Sequence, residues 1–165
     1  MLQPRAADSD PDWVGPHRGK YYTLGKEFAS WYDAKADCQA LDARLAAITY
    51  DNKAFLSKQL SIIDSNYFWI GLRSNETQFN AGTEFAVEKD YTNWEKICAQ
   101  EPDGDRASED DCVAITGRLS GPDYQPAGSW ADSQCNAVGD FICQSATQVS
   151  CLGVPGEVSE TGQSR

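Results

Sequence analysis

Residues 101–111 read Glu-Pro-Asp-Gly-Asp-Arg-Ala-Ser-Glu-Asp-Asp, six carboxylates in eleven residues with Arg106 the one cation among them. Such a cluster repels itself unless it is solvated or neutralised. A hard divalent cation neutralises it: calcium takes about six to eight oxygen ligands at roughly 2.3–2.6 Å, and carboxylates supply both ligation and charge. Gly104 allows the segment to turn back on itself. The spacing is not that of an EF-hand loop, so a metal site here has to be assembled from separate segments. On composition alone, a solvated acidic loop explains the cluster slightly better.

The cysteines are the second set with chemistry to offer. Cys38, Cys98, Cys112, Cys135, Cys143 and Cys151 are all spaced more widely than the close pairs of zinc sites. They read instead as a disulfide framework formed in an oxidising compartment, with several pairings open to them. His17 is the lone histidine and lies near the N-terminus, which removes most catalytic triads and imidazole metal sites. Paired carboxylates for glycosidase-like acid–base work exist, but no apolar pocket is evident to separate their pKa values. The chain is therefore read as a non-enzyme.

The formal charge of −11, from 14 Lys+Arg against 25 Asp+Glu, argues against nucleic acid and anionic membranes as partners and suits cations or basic protein surfaces. With 165 residues, 41% hydrophobic and 11% aromatic, the composition is that of one folded domain with loose ends. No run approaches the roughly 18 apolar residues of a membrane helix, so no membrane insertion is expected. Met1 to Asp12 is polar and lacks the apolar core of a signal peptide. The expectation is either that a signal has been removed or that this is a domain of a longer protein.

Several elements must position these groups. Residues 1–19, with Pro4, Pro11 and Pro16, read as a flexible leader, and 146–165, rich in Ser, Gly and Glu, as a flexible tail. Between them, 20–145 forms the domain. Tyr21-Tyr22-Thr23 reads as a first strand. Ser30 and Asp33 have cap spacing, and Trp31, Ala34, Cys38, Leu41 and Leu45 recur at helical intervals. A second helix after Asp51 carries the stripe Phe55, Leu56, Leu60 and Ile63. Tyr67 to Leu72 is a short apolar strand run, and Cys112–Thr116, Gly128–Ala131 and Asp140–Gln144 are three more. The stretch 73–111 reads as a long loop, and loops of that length are usually functional or disordered. Two helices followed by short strands indicate an α+β domain.

These segments together resemble a known family. Trp69-Ile70-Gly71-Leu72 is similar to the core strand of C-type lectin-like domains. Tyr91-Thr92-Asn93-Trp94, Glu101-Pro102-Asp103, Cys112-Val113-Ala114-Ile115, Trp130-Ala131-Asp132 and the Cys135–Cys143 spacing follow it in the family's order. The resemblance covers Lys20 to Gln144 and implies the short form of the C-type lectin-like fold: two helices flanking small antiparallel sheets, with a long loop region. It implies disulfides Cys38–Cys143 and Cys112–Cys135. Cys98 and Cys151 lie outside that pattern; the family geometry sets them at opposite ends, which disfavours pairing with each other, and they are read as serving a disulfide-linked oligomer or a family-specific pairing.

The resemblance also ranks the metal reading above the solvated loop. It implies calcium held by Glu101, Asp103 and Asp132, with Asp110 or, one residue away, Glu109. Two positions depart from the family. Ala131 stands where an asparagine ligand is usual, and a methyl neither ligates a metal nor hydrogen-bonds a hydroxyl. Glu101-Pro102-Asp103 mixes the tripeptides that accompany mannose-type and galactose-type sugars. Ser74 and Gln78 stand where an accessory calcium site would have acids.

The function this implies is calcium-dependent carbohydrate binding in a secreted protein or the extracellular part of a larger one. Its partners would be glycans or glycoproteins. Glu101, Asp103, Asp110 and Asp132 would meet the ligand, with Tyr124 placed to stack on a sugar; Trp130 is the weaker stacking candidate, since it reads as core. The competing class is a lectin-like domain that has lost sugar binding and contacts a protein ligand, for which Ala131 is the main support. Asn75-Glu76-Thr77 is an N-glycosylation sequon.

Overall fold

The computed structural model describes residues 1–3, 10–63, 65, 67–75, 78–81, 93–94, 111–117 and 127–146. In chain order the elements are β1 (Val14–His17), β2 (Lys20–Leu24), α1 (Trp31–Ala40), β3 (Arg44–Leu45), α2 (Lys53–Leu60), β4 (Tyr67–Asn75), β5 (Gln78–Ala81), β6 (Asp111–Thr116), β7 (Trp130–Gln134) and β8 (Asp140–Ser145).

Helix α1 begins where Ser30 caps it. The Asp33 amide donates to Ser30 Oγ at 3.2 Å, and the Ser30 hydroxyl donates to Asp33 Oδ2 at 2.7 Å. Trp31, Ala34 and Cys38 form its buried stripe, but the helical spacing expected to run on to Leu45 stops short, with Leu41 as the C-cap and Leu45 in β3. It ends in a Schellman motif: the Asp42 amide donates to the Gln39 carbonyl and the Ala43 amide to the Cys38 carbonyl, each at 3.0 Å. Asp42 itself takes the left-handed conformation, φ 54°, at the position most helices give to glycine. Helix α2 buries Leu56 and Leu60. Ile63 lies beyond its end but is still core, at 4% exposure. The buried Asn52 before α2 bonds elsewhere, its Oδ1 accepting from the Thr49 amide and its Nδ2 donating to the Ala47 carbonyl and the Tyr22 hydroxyl. Burial pushes the Tyr22 phenol above its ordinary pKa, and the bond from Asn52 offsets part of that.

The strands form one eight-stranded sheet in the order β1-β2-β8-β4-β6-β7, with β3 paired to β8 and β5 to β4. Every pairing is antiparallel except β4 with β8. Both faces of the central strands are covered. Phe68, Ile70, Val113, Ile115 and Ile142 enter one core cluster with Leu56 and Leu60. The residues alternating with them, Trp69, Cys112, Ala114, Phe141 and Cys143, enter a second with α1. Period-two alternation between two buried faces is why these strands read as unbroken apolar runs. Gly71 is required where β3 crosses β4: a Cβ there would lie 2.9 Å from the Leu45 carbonyl oxygen.

Three expectations from the sequence shift. Part of the expected leader is built into the fold: Val14–His17 pairs with β2, Trp13 packs on the second cluster, and Leu2 is 1% exposed with its amide donating to Gln59 Oε1. The strand expected at Gly128–Ala131 starts at Trp130 and runs to Gln134, because Gly128 takes φ +96°, outside strand geometry. The loop expected from Arg73 onward begins instead as the end of β4 and strand β5.

Candidate functional site

Strand β7 carries Trp130, Ala131 and Asp132 of the sequence-identified set. Its N-terminal end holds the segment that precedes the acidic stretch: Trp94 bridges Trp130, the Trp130 amide donates to the Asn93 carbonyl at 2.7 Å, and Asn93 Nδ2 donates to the Gly128 carbonyl at 2.8 Å. The Trp94 and Trp130 rings meet edge to face at 5.5 Å. Its C-terminal end holds the segment that follows, with Asp111 paired to Gln134 and Cys112 to Ser133. The chain between Trp94 and Asp111 therefore leaves from one end of β7 and returns to the other.

Asp132 lies between these two anchors, opposite Val113 and half-buried. Three residues on, Cys135 is tied to Cys112, with Cα atoms 4.9 Å apart. The second disulfide, Cys38–Cys143, joins α1 to β8. Both pairings are those the resemblance implies. Trp130 is 1% exposed and belongs to the first core cluster, so of the two stacking candidates it is core. Ala131 pairs with Ala114 and presents no donor or acceptor side chain.

The remaining expectations fall elsewhere. Glu101, Asp103, Glu109, Asp110, Tyr124, Cys98 and Cys151 lie outside the described residues, as do Glu76 and Thr77 of the sequon; Asn75 ends β4. Among the described residues no group of three His, Cys, Asp or Glu side chains is assembled for a metal. The structure thus places Asp132, Asp111 at the close of the acidic segment, and Asn93 and Trp94 ahead of it. Asn93 is a positioning residue that the sequence offered only as part of a motif; its double hold on Gly128 and Trp130 comes from contacts across the chain.

Among the described residues, two helices, a mixed sheet and two disulfides make up the α+β architecture of a lectin-type domain. A family model for the lectin C-type domain matches residues 27–145, and the chain belongs to that family. It is 31% identical over 144 residues to human C-type mannose receptor 2, covering 87% of this chain and 9% of that receptor. Among solved structures, the human scavenger receptor C-type lectin carbohydrate-recognition domain is 28% identical with TM-score 0.63, covering 84% of this chain and 98% of that one. The cow CD23 carbohydrate-recognition domain, solved in the presence of a GlcNAc2Man3 oligosaccharide, is 25% identical with TM-score 0.60, covering 83% and 95%. No helix among the described residues is long and apolar enough to cross a membrane.

Proposed function

We propose that this domain binds a saccharide through calcium held by Asp132 together with Glu101, Asp103 and one or both of Glu109 and Asp110. The observation that carries the reading is the bracketing of the acidic segment by β7, with Asp132 between the anchors. The donor set fits a hard cation, since every member is a carboxylate. Bound calcium would supply open coordination positions for two neighbouring sugar hydroxyls. The protein's own part is to hold those carboxylates as acceptors for the hydroxyl protons, with Tyr124 stacking on the ring. The carbohydrate-recognition domains to which the chain is similar support the choice of ligand class. Two buried disulfides support an extracellular setting. Within it, Asn75 would carry a glycan, and Cys98 and Cys151 would serve covalent association.

A second reading, protein recognition without sugar, draws on Ala131, which withdraws one oxygen ligand from the set. One experiment separates the two. Thermal melts in millimolar calcium and in EDTA are compared for the wild type and Asp132→Ala. Calcium at about a hundred times its Kd should stabilise the folded state by about 2.7 kcal/mol, several degrees in Tm. Asp132→Ala should remove that shift, and wild-type glycan-array binding should vanish in EDTA. An unchanged calcium shift in Asp132→Ala removes Asp132 from the site. Glycan binding indifferent to EDTA removes the calcium mechanism, and a blank array in calcium favours the protein-ligand reading.

A further inference from the structure

A second concave site lies where three strands meet the end of α1. It is an open cleft of about 400 Å³, lined by Lys20, Gln39, Asp42, Arg44, Gln144 and Ser145 among others. That volume is within the range of small-molecule sites, roughly 300–1,000 Å³. The ladder explains how two cations separated in sequence come to share it. Gln144 on β8 pairs with Tyr22 of β2 on one side and with Arg44 of β3 on the other. Lys20 starts β2, one residue before the Tyr21 that pairs with Ser145, so it stands beside the end of β8, where Ser145 and Ala146 also line the cleft. With strands about 4.8 Å apart and Lys20 two residues, about 7 Å, along from the position opposite Arg44, their backbones are about 12 Å apart across β8, and their long side chains border one cleft.

The floor and rim are fixed. Cys38–Cys143 ties α1 to the strand that forms the floor, and Gln144 Oε1 accepts from the Ala47 amide at 3.3 Å. The Schellman motif sets Asp42 on the rim in a single left-handed conformation. None of these residues belongs to the site on β7.

We propose that this cleft binds a sugar bearing an acidic substituent, a sulfate ester or a carboxylate, without calcium. Lys20 and Arg44 take the anionic group by charge-assisted hydrogen bonds. Asp42 accepts hydroxyl protons, and the Gln39 carboxamide donates to or accepts from neighbouring ring oxygens. The carboxylate on the rim decides between ligand types. A bare inorganic anion gains nothing from Asp42 and is repelled by it, whereas a polyhydroxylated acid uses both signs of charge.

The test is amide chemical-shift mapping of the whole chain in EDTA, which makes it independent of the calcium reading. N-acetylglucosamine 6-sulfate, glucuronic acid, N-acetylglucosamine and sodium sulfate are titrated at matched ionic strength. The acidic sugars should give saturable shifts at Lys20, Ala43, Arg44 and Gln144–Ala146, with the sulfate ester and carboxylate arms showing which group is preferred. Lys20→Gln/Arg44→Gln should weaken binding at least about tenfold. Lys35→Gln, on the exposed face of α1, should leave it unchanged. If the double variant fails to fold, Arg44→Gln alone is used, since Arg44 is solvent-exposed. No saturable shift by about 10 mM acidic sugar, a millimolar limit of weak recognition, overturns the proposal. Equal response to sodium sulfate overturns the sugar assignment, and so does equal response to uncharged N-acetylglucosamine.

Discussion

Removing Cys38–Cys143 by paired alanine substitution should destabilise this domain more than removing Cys112–Cys135. The two bridges close loops with sequence separations of 105 and 23. In the loop-closure treatment, a cross-link stabilises by restricting the unfolded chain, by about 4.8 kcal/mol for the longer loop and about 3.4 for the shorter at 25 °C. The predicted margin is about 1.4 kcal/mol. Packing losses nearly cancel in the comparison, because all four cysteines lie in one buried cluster and each double variant truncates two of them. Urea denaturation of Cys38→Ala/Cys143→Ala and Cys112→Ala/Cys135→Ala, followed by Trp fluorescence, measures both the free energy and the m-value. The m-value should rise in both, more for the outer pair, because the released chain exposes more surface when unfolded. An inner-pair variant as unstable as the outer-pair one would refute the reasoning. It would mean that packing where β6 and β7 meet, not chain entropy, sets the contribution of that bridge.

Two further outcomes follow from single residues. Ser30→Ala should cost about 1 kcal/mol by leaving the Asp33 amide without its cap, while Ser30→Thr should cost much less; chemical denaturation of both resolves the difference. Asp140 is half-buried, and burial raises its carboxyl pKa, partly offset by the bond that the Ser65 hydroxyl donates to it. Since the folded pKa is raised, the contribution of Asp140 to stability is complete below the unfolded value near 3.9 and is lost as pH rises through the folded value. Asp140→Asn keeps the acceptor for Ser65 without the charge, so its stability relative to wild type should climb as pH rises from about 4 toward 7. Paired melts across that range check it, and a flat difference would show that the carboxylate is solvated.

The apolar runs at the centres of β4, β6 and β8 were legible in the sequence because both faces are buried there and neighbouring residues enter one core cluster or the other. The cap at Ser30 was legible for a similar reason: serine followed by aspartate at the third helical position has one obvious geometry. Strand β1 was not, since Val14-Gly15-Pro16-His17 contains two residues that disfavour strands and gains its place only from pairing with β2. Leu2 and Trp13 were hidden likewise, as isolated apolar residues in a polar stretch. The disulfide pairing came from resemblance, since counting cysteines leaves the pairings open. At β7 the residue types were readable but the approach of Asn93 and Asp111 was not, because both meet β7 only through the folded ladder. The cleft beside β8 was invisible for the same reason: Lys20, Arg44 and Gln144 become neighbours only once β8 has inserted between β2 and β3.

The antiparallel pairing of β2 with the end of β8 sets Tyr21 opposite Ser145 at one end of that ladder. Tension applied at those two points loads the β2–β8 hydrogen bonds one after another, an unzipping geometry that yields at low force. Peeling β8 back from Ser145 reaches Cys143 after two residues, and there the covalent link to α1 takes the load. Everything between Cys38 and Cys143, including β7 and both of its anchors, lies inside that covalent loop and outside the force path. Tension at those two points can thus open the β2–β8 ladder and leave β7 unstretched.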